Sequence, residues 1–116
     1  MTDIFKALSD ETRLRMLSLI MDGEMCVCEI EHCLGLTQSN ASRHLTALKK
    51  AGFLSSSKHA QWAYYKLDEG FCNENPLLVR YLREKLTSLP SYASDTRQRE
   101  LCKEADLCGR QEEKVL

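Results

Sequence analysis

Residues 37–67 read TQSNASRHLTALKKAGFLSSSKHAQWAYYKL, and within them the hydrophobic period changes once. Up to Lys50 the apolar positions Ala41, Leu45 and Leu48 recur at i, i+4 and i+7, the spacing of one helix face. Thr37 stands where an N-cap is needed, and Ala51-Gly52 ends the periodic run. Beyond it, Phe53–Ser57 and Trp62–Leu67 are β-prone runs joined by the polar Lys58-His59-Ala60-Gln61, a hairpin-length connection. The expectation is a helix over 38–50 followed by a two-stranded wing.

Working outward, Val27, Ile30 and Leu34 share a face of a short helix over about 28–34, broken by Gly35. Before it, Leu14, Leu17, Ile20 and Met21 mark a helix that Ser9 or Asp10 can cap and Gly23 ends. Ile4, Phe5 and Leu8 mark a shorter one at the start. After the wing, Asn75-Pro76 is a helix start, with Pro in the first-turn position that needs no N–H. Leu78, Tyr81, Leu82, Leu86 and Leu89 follow as a long apolar stripe up to Pro90. A last helix is expected from about Asp95 to Cys108, then Gly109 and a frayed tail. Helix, Gly-containing turn, helix and hairpin together define a winged helix-turn-helix, mainly α with a small β-hairpin. Residues 1–90 read as the DNA-binding and dimerisation domain, and 91–116 as a helical extension.

Charge patterning agrees. The net charge is −1, yet residues 32–67 contain no Asp or Glu and carry Arg43, Lys49, Lys50, Lys58 and Lys66, net +5 with all three histidines; the remainder is net −6. Such a dipolar chain can turn one face toward a polyanion. With the stripe of the 38–50 helix inward, Ser39, Asn40, Ser42, Arg43 and Thr46 lie outward or lateral. Arg pairs with guanine O6/N7 and Asn with adenine in the major groove. Gln38 and Ser39 suit a phosphate at the helix N-terminus, and Lys49, Lys50, Lys58 and His59 suit further phosphates. His44 borders this face, either contributing to it or packing laterally. Double-stranded operator DNA is the expected partner. The apolar stripe with Ile4 and Phe5 is expected to form a homodimer interface, so the operator would be an inverted repeat.

Six cysteines stand at 26, 28, 33, 72, 102 and 108. No basic-then-apolar leader opens the chain and no apolar run reaches the ~18–20 residues of a span, so no membrane role is expected, and a cytoplasmic setting with reduced thiols is. An oxidoreductase is disfavoured because neither Cys-x-x-Cys nor a βαβ pattern is present. Cys26-Val27-Cys28 can converge on one soft ion at a helix start, where the dipole favours thiolate.

The segments Leu8–Arg15, Glu24–Ile30, Ser42–Leu45 and Ala51–Leu54 resemble the ArsR/SmtB metalloregulators, over roughly residues 4–90, and Cys-Val-Cys is the hallmark of the arsenic-responsive branch. The resemblance implies a homodimeric repressor, not an enzyme, that leaves its operator when As(III) or Sb(III) binds cysteine thiolates. Cys26 and Cys28 match that pattern. Many members place another cysteine three residues on, where this chain has Glu31. The third ligand therefore stays open among Cys102, Cys33 and Cys108. Cys33 also fits as a core residue, since it flanks Val27, Ile30 and Leu34. A thiol redox sensor or a Cd/Zn sensor is the alternative reading of the same residues.

Overall fold

The computed structural model describes residues 2–105, as seven helices and three short strands. Helix α1 (Thr2–Leu8) leads into α2 (Glu11–Ile20), whose N-cap is Asp10: its carboxylate accepts from the Arg13 N–H at 3.1 Å. Strand β1 (Met25–Cys26) passes directly into α3 (Val27–Leu34). Gly35 ends α3 at φ 65°, a left-handed position open to a residue without Cβ, and its N–H returns to the α3 carbonyls. Helix α4 (Gln38–Lys50) starts as expected at Thr37, whose hydroxyl accepts from the Asn40 N–H at 3.2 Å.

The wing is β2 (Leu54–His59) and β3 (Trp62–Leu67), antiparallel with His59 opposite Trp62, so the connecting loop is only Ala60-Gln61. Ala60 takes the φ > 0 that such a loop demands. The strands run two residues further than Ser57 on the first arm, because the tight turn lets Lys58 and His59 join the ladder. The third strand, β1, is a feature the sequence reading lacks: Met25 and Cys26 pair with Tyr65 and Tyr64, giving the order β1-β3-β2.

Asp68 caps a further short helix, α5 (Glu69–Glu74), also absent from the sequence reading, by accepting from the Phe71 N–H at 2.9 Å. Helix α6 (Pro76–Lys85) follows with Pro76 in its first turn. Asn75 does not cap it through its side chain; the amide instead donates to the Phe71 carbonyl, tying α6 to α5. A 3-10 turn (Leu86–Ser88) precedes α7 (Tyr92–Ala105), which starts three residues before Asp95 and packs back on α2 and α3. Cys108, Gly109 and the tail lie outside the described residues.

One core joins these elements around Met16, Leu17, Ile20, Met25, Ile30, Leu45, Leu48 and Phe53, all essentially sealed from solvent. Burial of this kind, at roughly 25 cal/mol per Å², is the main force holding the helix-turn-helix to the wing. Among the described residues, no helix is long and apolar enough to cross a membrane.

The structure divides the apolar stripe of residues 78–89 between two faces. Leu82 and Leu86 are buried inside the protomer, and Leu78 and Leu89 pack half-buried against the same core. Ile4 joins them, whereas Phe5 and Tyr81 remain 60% and 58% exposed. Leu77, which the sequence reading passed over, is 78% exposed. The reason is helical geometry: 78, 82 and 86 follow one another at i+4 on the inner face, and 77 and 81 do so on the outer. Leu82 and Leu86 are therefore spent on the core and are not available as an outward face.

Candidate functional site

On α4, the inward set is Ala41, His44, Leu45 and Leu48. Gln38, Ser39, Asn40, Ser42, Arg43, Thr46, Lys49 and Lys50 are all exposed, as are Lys58 and His59 on the wing. Nine polar or basic groups beside His59 thus share a surface of helix and hairpin, as the sequence pattern predicts. Arg43 donates to the Asn40 carboxamide oxygen at 3.3 Å, an i, i+3 pair on the exposed face of α4. Lys49 donates to the Ser56 hydroxyl at 2.7 Å, joining the end of α4 to β2.

His44 is the exception. It is only 6% exposed and turns away from the polar face toward the start of α2. Its Nδ1 lies 3.3 Å from an Arg13 guanidinium nitrogen and 4.0 Å from the Asp10 carboxylate. A guanidinium can only donate, so this contact uses Nδ1 as an acceptor, a role open only to a neutral imidazole. Burial lowers the His44 pKa, Arg43 and Arg13 lower it further, and Asp10 opposes them. Since the folded state resists protonation here, the stability that His44 contributes is complete above the ordinary histidine range near 6.5 and is lost as the pH falls below it. Denaturation at pH 7.5 and pH 5 should show this loss, and His44→Leu should shrink it; an unchanged difference would assign the loss to another group.

Four cysteines form two close sulfur pairs. Cys26 is the last residue of β1 and the N-cap of α3, with extended backbone at φ −74° and ψ 147°. Its N–H donates to Glu29 Oε1 at 2.8 Å, half of a capping box. The abrupt change from strand to helix brings the sulfurs of Cys26 and Cys28 to 3.0 Å, although side chains two apart diverge in either regular element. Cys26 is buried and Cys28 half-buried. They border a cavity of about 430 Å³, walled also by Gln38 and Ser42 of α4 and by Gln61, Trp62 and Tyr65 of the wing. The Cys26 and Cys28 sulfurs therefore share one cavity with both elements of the polar face.

Cys33 and Cys102 form the second pair, 3.1 Å apart between α3 and α7, 6% and 1% exposed. Burial pushes the Cys33 thiol well above its usual range; the contact with Cys102 and the carboxylates of Glu29 and Asp95 add to the effect. Cys72 lies half-buried on α5. Among the described residues, no three His, Cys, Asp or Glu side chains converge as a metal site; Cys33 and Cys102 contact each other, and Cys108 lies outside the described residues. No periodic pattern could have paired residues 33 and 102.

A helix-turn-helix with a basic outer helix and a hairpin wing, with a pair of cysteines on the cavity between them, defines a winged-helix protein. Residues 10–56 match the bacterial regulatory protein, arsR family. The chain is 44% identical over 85 residues to the arsenic resistance transcriptional regulator ArsR2 of Pseudomonas putida strain KT2440, covering 72% of this chain and 68% of that protein. It is 51% identical over 65 residues to ArsR1 of the same strain, covering 55% of this chain and about half (51%) of that relative's length. The solved homodimeric winged helix-turn-helix DNA-binding domain Mb0332 of Mycobacterium bovis, a possible ArsR-family transcriptional regulator, superimposes with a TM-score of 0.61 at 27% identity, covering 72% of this chain and 78% of that one. The chain belongs to the ArsR family.

Proposed function

We propose that the chain is a homodimeric operator-binding repressor that releases DNA when trivalent arsenic or antimony binds the thiolates of Cys26 and Cys28. The observation that carries this reading is the 3.0 Å sulfur pair on a cavity shared with α4 and the wing. Two soft donors fit a soft trivalent metalloid, and each sulfur must lose its proton to bind. The similarity to arsenic resistance regulators supports that effector class.

The chain's own residues supply the coupling. Cys26 both ends β1 and caps α3, so pulling its sulfur toward a shared ion strains the Glu29 capping box and the pairing with Tyr64. Gln38 and Ser42, across the cavity, shift with it. A coupling free energy of ~1–3 kcal/mol gives a useful switch. The direct test is release from operator DNA titrated in parallel with As(III), Sb(III), Cd(II), Zn(II) and peroxide; release by Cd(II), Zn(II) or peroxide with none by As(III) or Sb(III) overturns the effector assignment.

DNA contact follows the exposed face. Arg43→Ala should cost about 1–3 kcal/mol on the specific operator and relax discrimination at one base pair. If each protomer neutralises ~3–4 phosphates, log K against log salt should slope at roughly −5 to −7. Equal operator affinity for Arg43→Ala, or a slope near zero, would remove α4 from the interface.

The dimer rests on the exposed apolar residues Phe5, Leu77 and Tyr81. Tyr81→Asp, outside the protomer core, should keep the fold and give monomers by sedimentation with weakened operator binding. A Tyr81→Asp variant that remains dimeric would place the interface elsewhere. Leu82→Asp is not the equivalent test, because it puts a charge into the core.

A further inference from the structure

The contact between Cys33 and Cys102 has no part in the reading above, and its placement gives it one. The two residues are 69 positions apart and come from different helices, yet their sulfurs stand 3.1 Å apart. Helix α7 is otherwise polar; among its residues Asp95 and Cys102 are the buried anchors, Asp95 to Arg15 of α2 and Cys102 to Cys33 of α3. Cys33 lies on the same short helix as Cys28, so whatever fixes it also fixes the element bearing the first thiol pair.

We propose that Cys33 and Cys102 are a redox modification site, closed to an intramolecular disulfide that staples α7 to α3. The sulfurs need to approach by only about 1 Å to bond. A disulfide adds no atoms, which suits a site this tightly buried. The oxidant is a low-molecular-weight disulfide. Local opening of α7 against α3 gives the oxidant access to one thiol of the buried pair. That group, as the thiolate, attacks one sulfur of the oxidant, giving a mixed disulfide and releasing one thiol. The other cysteine then gives up its proton to solvent and attacks the protein sulfur of the mixed disulfide, expelling the second thiol. Two protein thiols are oxidised to one disulfide, and the reagent disulfide is reduced to two thiols.

Stapling closes a loop of about 70 residues, so the oxidised chain should melt on the order of 10 °C higher. On the proposed function above, on which this consequence rests, a fixed α3 also resists the effector, and oxidised protein should need at least about fivefold more arsenite to leave its operator.

The test uses the full chain carrying Cys26→Ser and Cys28→Ser, incubated with oxidised glutathione. The expected product is 2 Da lighter, with the tryptic peptide of Cys102 linked to that of Cys33, a raised Tm, and reversal by dithiothreitol. Adding Cys33→Ser, or separately Cys102→Ser, should abolish the link. A link from Cys102 to Cys72 or Cys108 instead, no link after prolonged exposure, or a link without a Tm rise overturns the proposal. The arsenite comparison is run separately on oxidised and reduced protein with Cys26 and Cys28 intact. If the reduced protein ignores arsenite, the proposed function fails while the mass and melting results still decide the staple; if it responds and oxidation leaves its threshold unchanged, the regulatory consequence is overturned.

Discussion

Operator DNA held by a chain with both Cys26→Ser and Cys28→Ser is expected to stay bound at arsenite concentrations that strip it from the unsubstituted protein. The threshold should rise by about 5–150-fold, the span of a 1–3 kcal/mol coupling, or release should vanish. Affinity without arsenite should change little, and the geometry says why. Cys26 is the N-cap of α3, and serine is among the strongest N-caps, so the box closed by Glu29 survives the exchange. The hydroxyl nearly matches the thiol in shape beside Tyr64 but is a hard donor with no affinity for a soft metalloid. A fluorescence-anisotropy titration reads both quantities at once. Release at the original arsenite concentration would move the sensor away from Cys-Val-Cys.

The largest effect on stability is expected at Asp95. This carboxylate is almost fully buried on α7 and grips the Arg15 guanidinium of α2 through two hydrogen bonds of 2.8 and 3.0 Å. Asp95→Ala leaves a mostly sheltered cation without its partner and should cost about 2–4 kcal/mol, less than a fully buried pair because Arg15 retains some solvent. Urea denaturation measures the cost, and hydrogen exchange should show α7 protected least. The double substitution Arg15→Met with Asp95→Leu should recover most of it, since what hurts is the orphaned charge. Equal destabilisation by the double variant would show that specific geometry, not charge burial, sets the cost.

How far the sequence reaches is visible residue by residue. The recognition helix was legible because Ala41, Leu45 and Leu48 repeat at its period and Thr37 supplies its cap, both local facts. His44 was within reach of the same logic: three residues after Ala41, it falls on the edge of the buried stripe. Its partner Arg13, 31 residues away, was not. Strand β1 escaped because two residues carry no periodicity and its ladder is made with β3, some 40 residues on. The convergence of Cys26 and Cys28 was readable as a possibility of the helix start, but the strand that enforces it was hidden. The wheel of residues 77–89 shows apolar faces without saying which one the chain covers itself. The Cys33–Cys102 contact depends wholly on how α7 returns, and no local pattern encodes that.

The passage of β1 into α3 also bears on engineering. Written as letters, Cys-Val-Cys is a three-residue tag that could be moved into any winged-helix scaffold. In this fold the separation of the sulfurs is set by a strand clamped to Tyr64 and Tyr65 on one side and a helix nucleated against Glu29 on the other. The transplantable unit is therefore a joint: residues 25–29 together with a receiving strand. A scaffold given the three letters alone would inherit two cysteines without the strand-to-helix joint that brings their sulfurs to 3.0 Å.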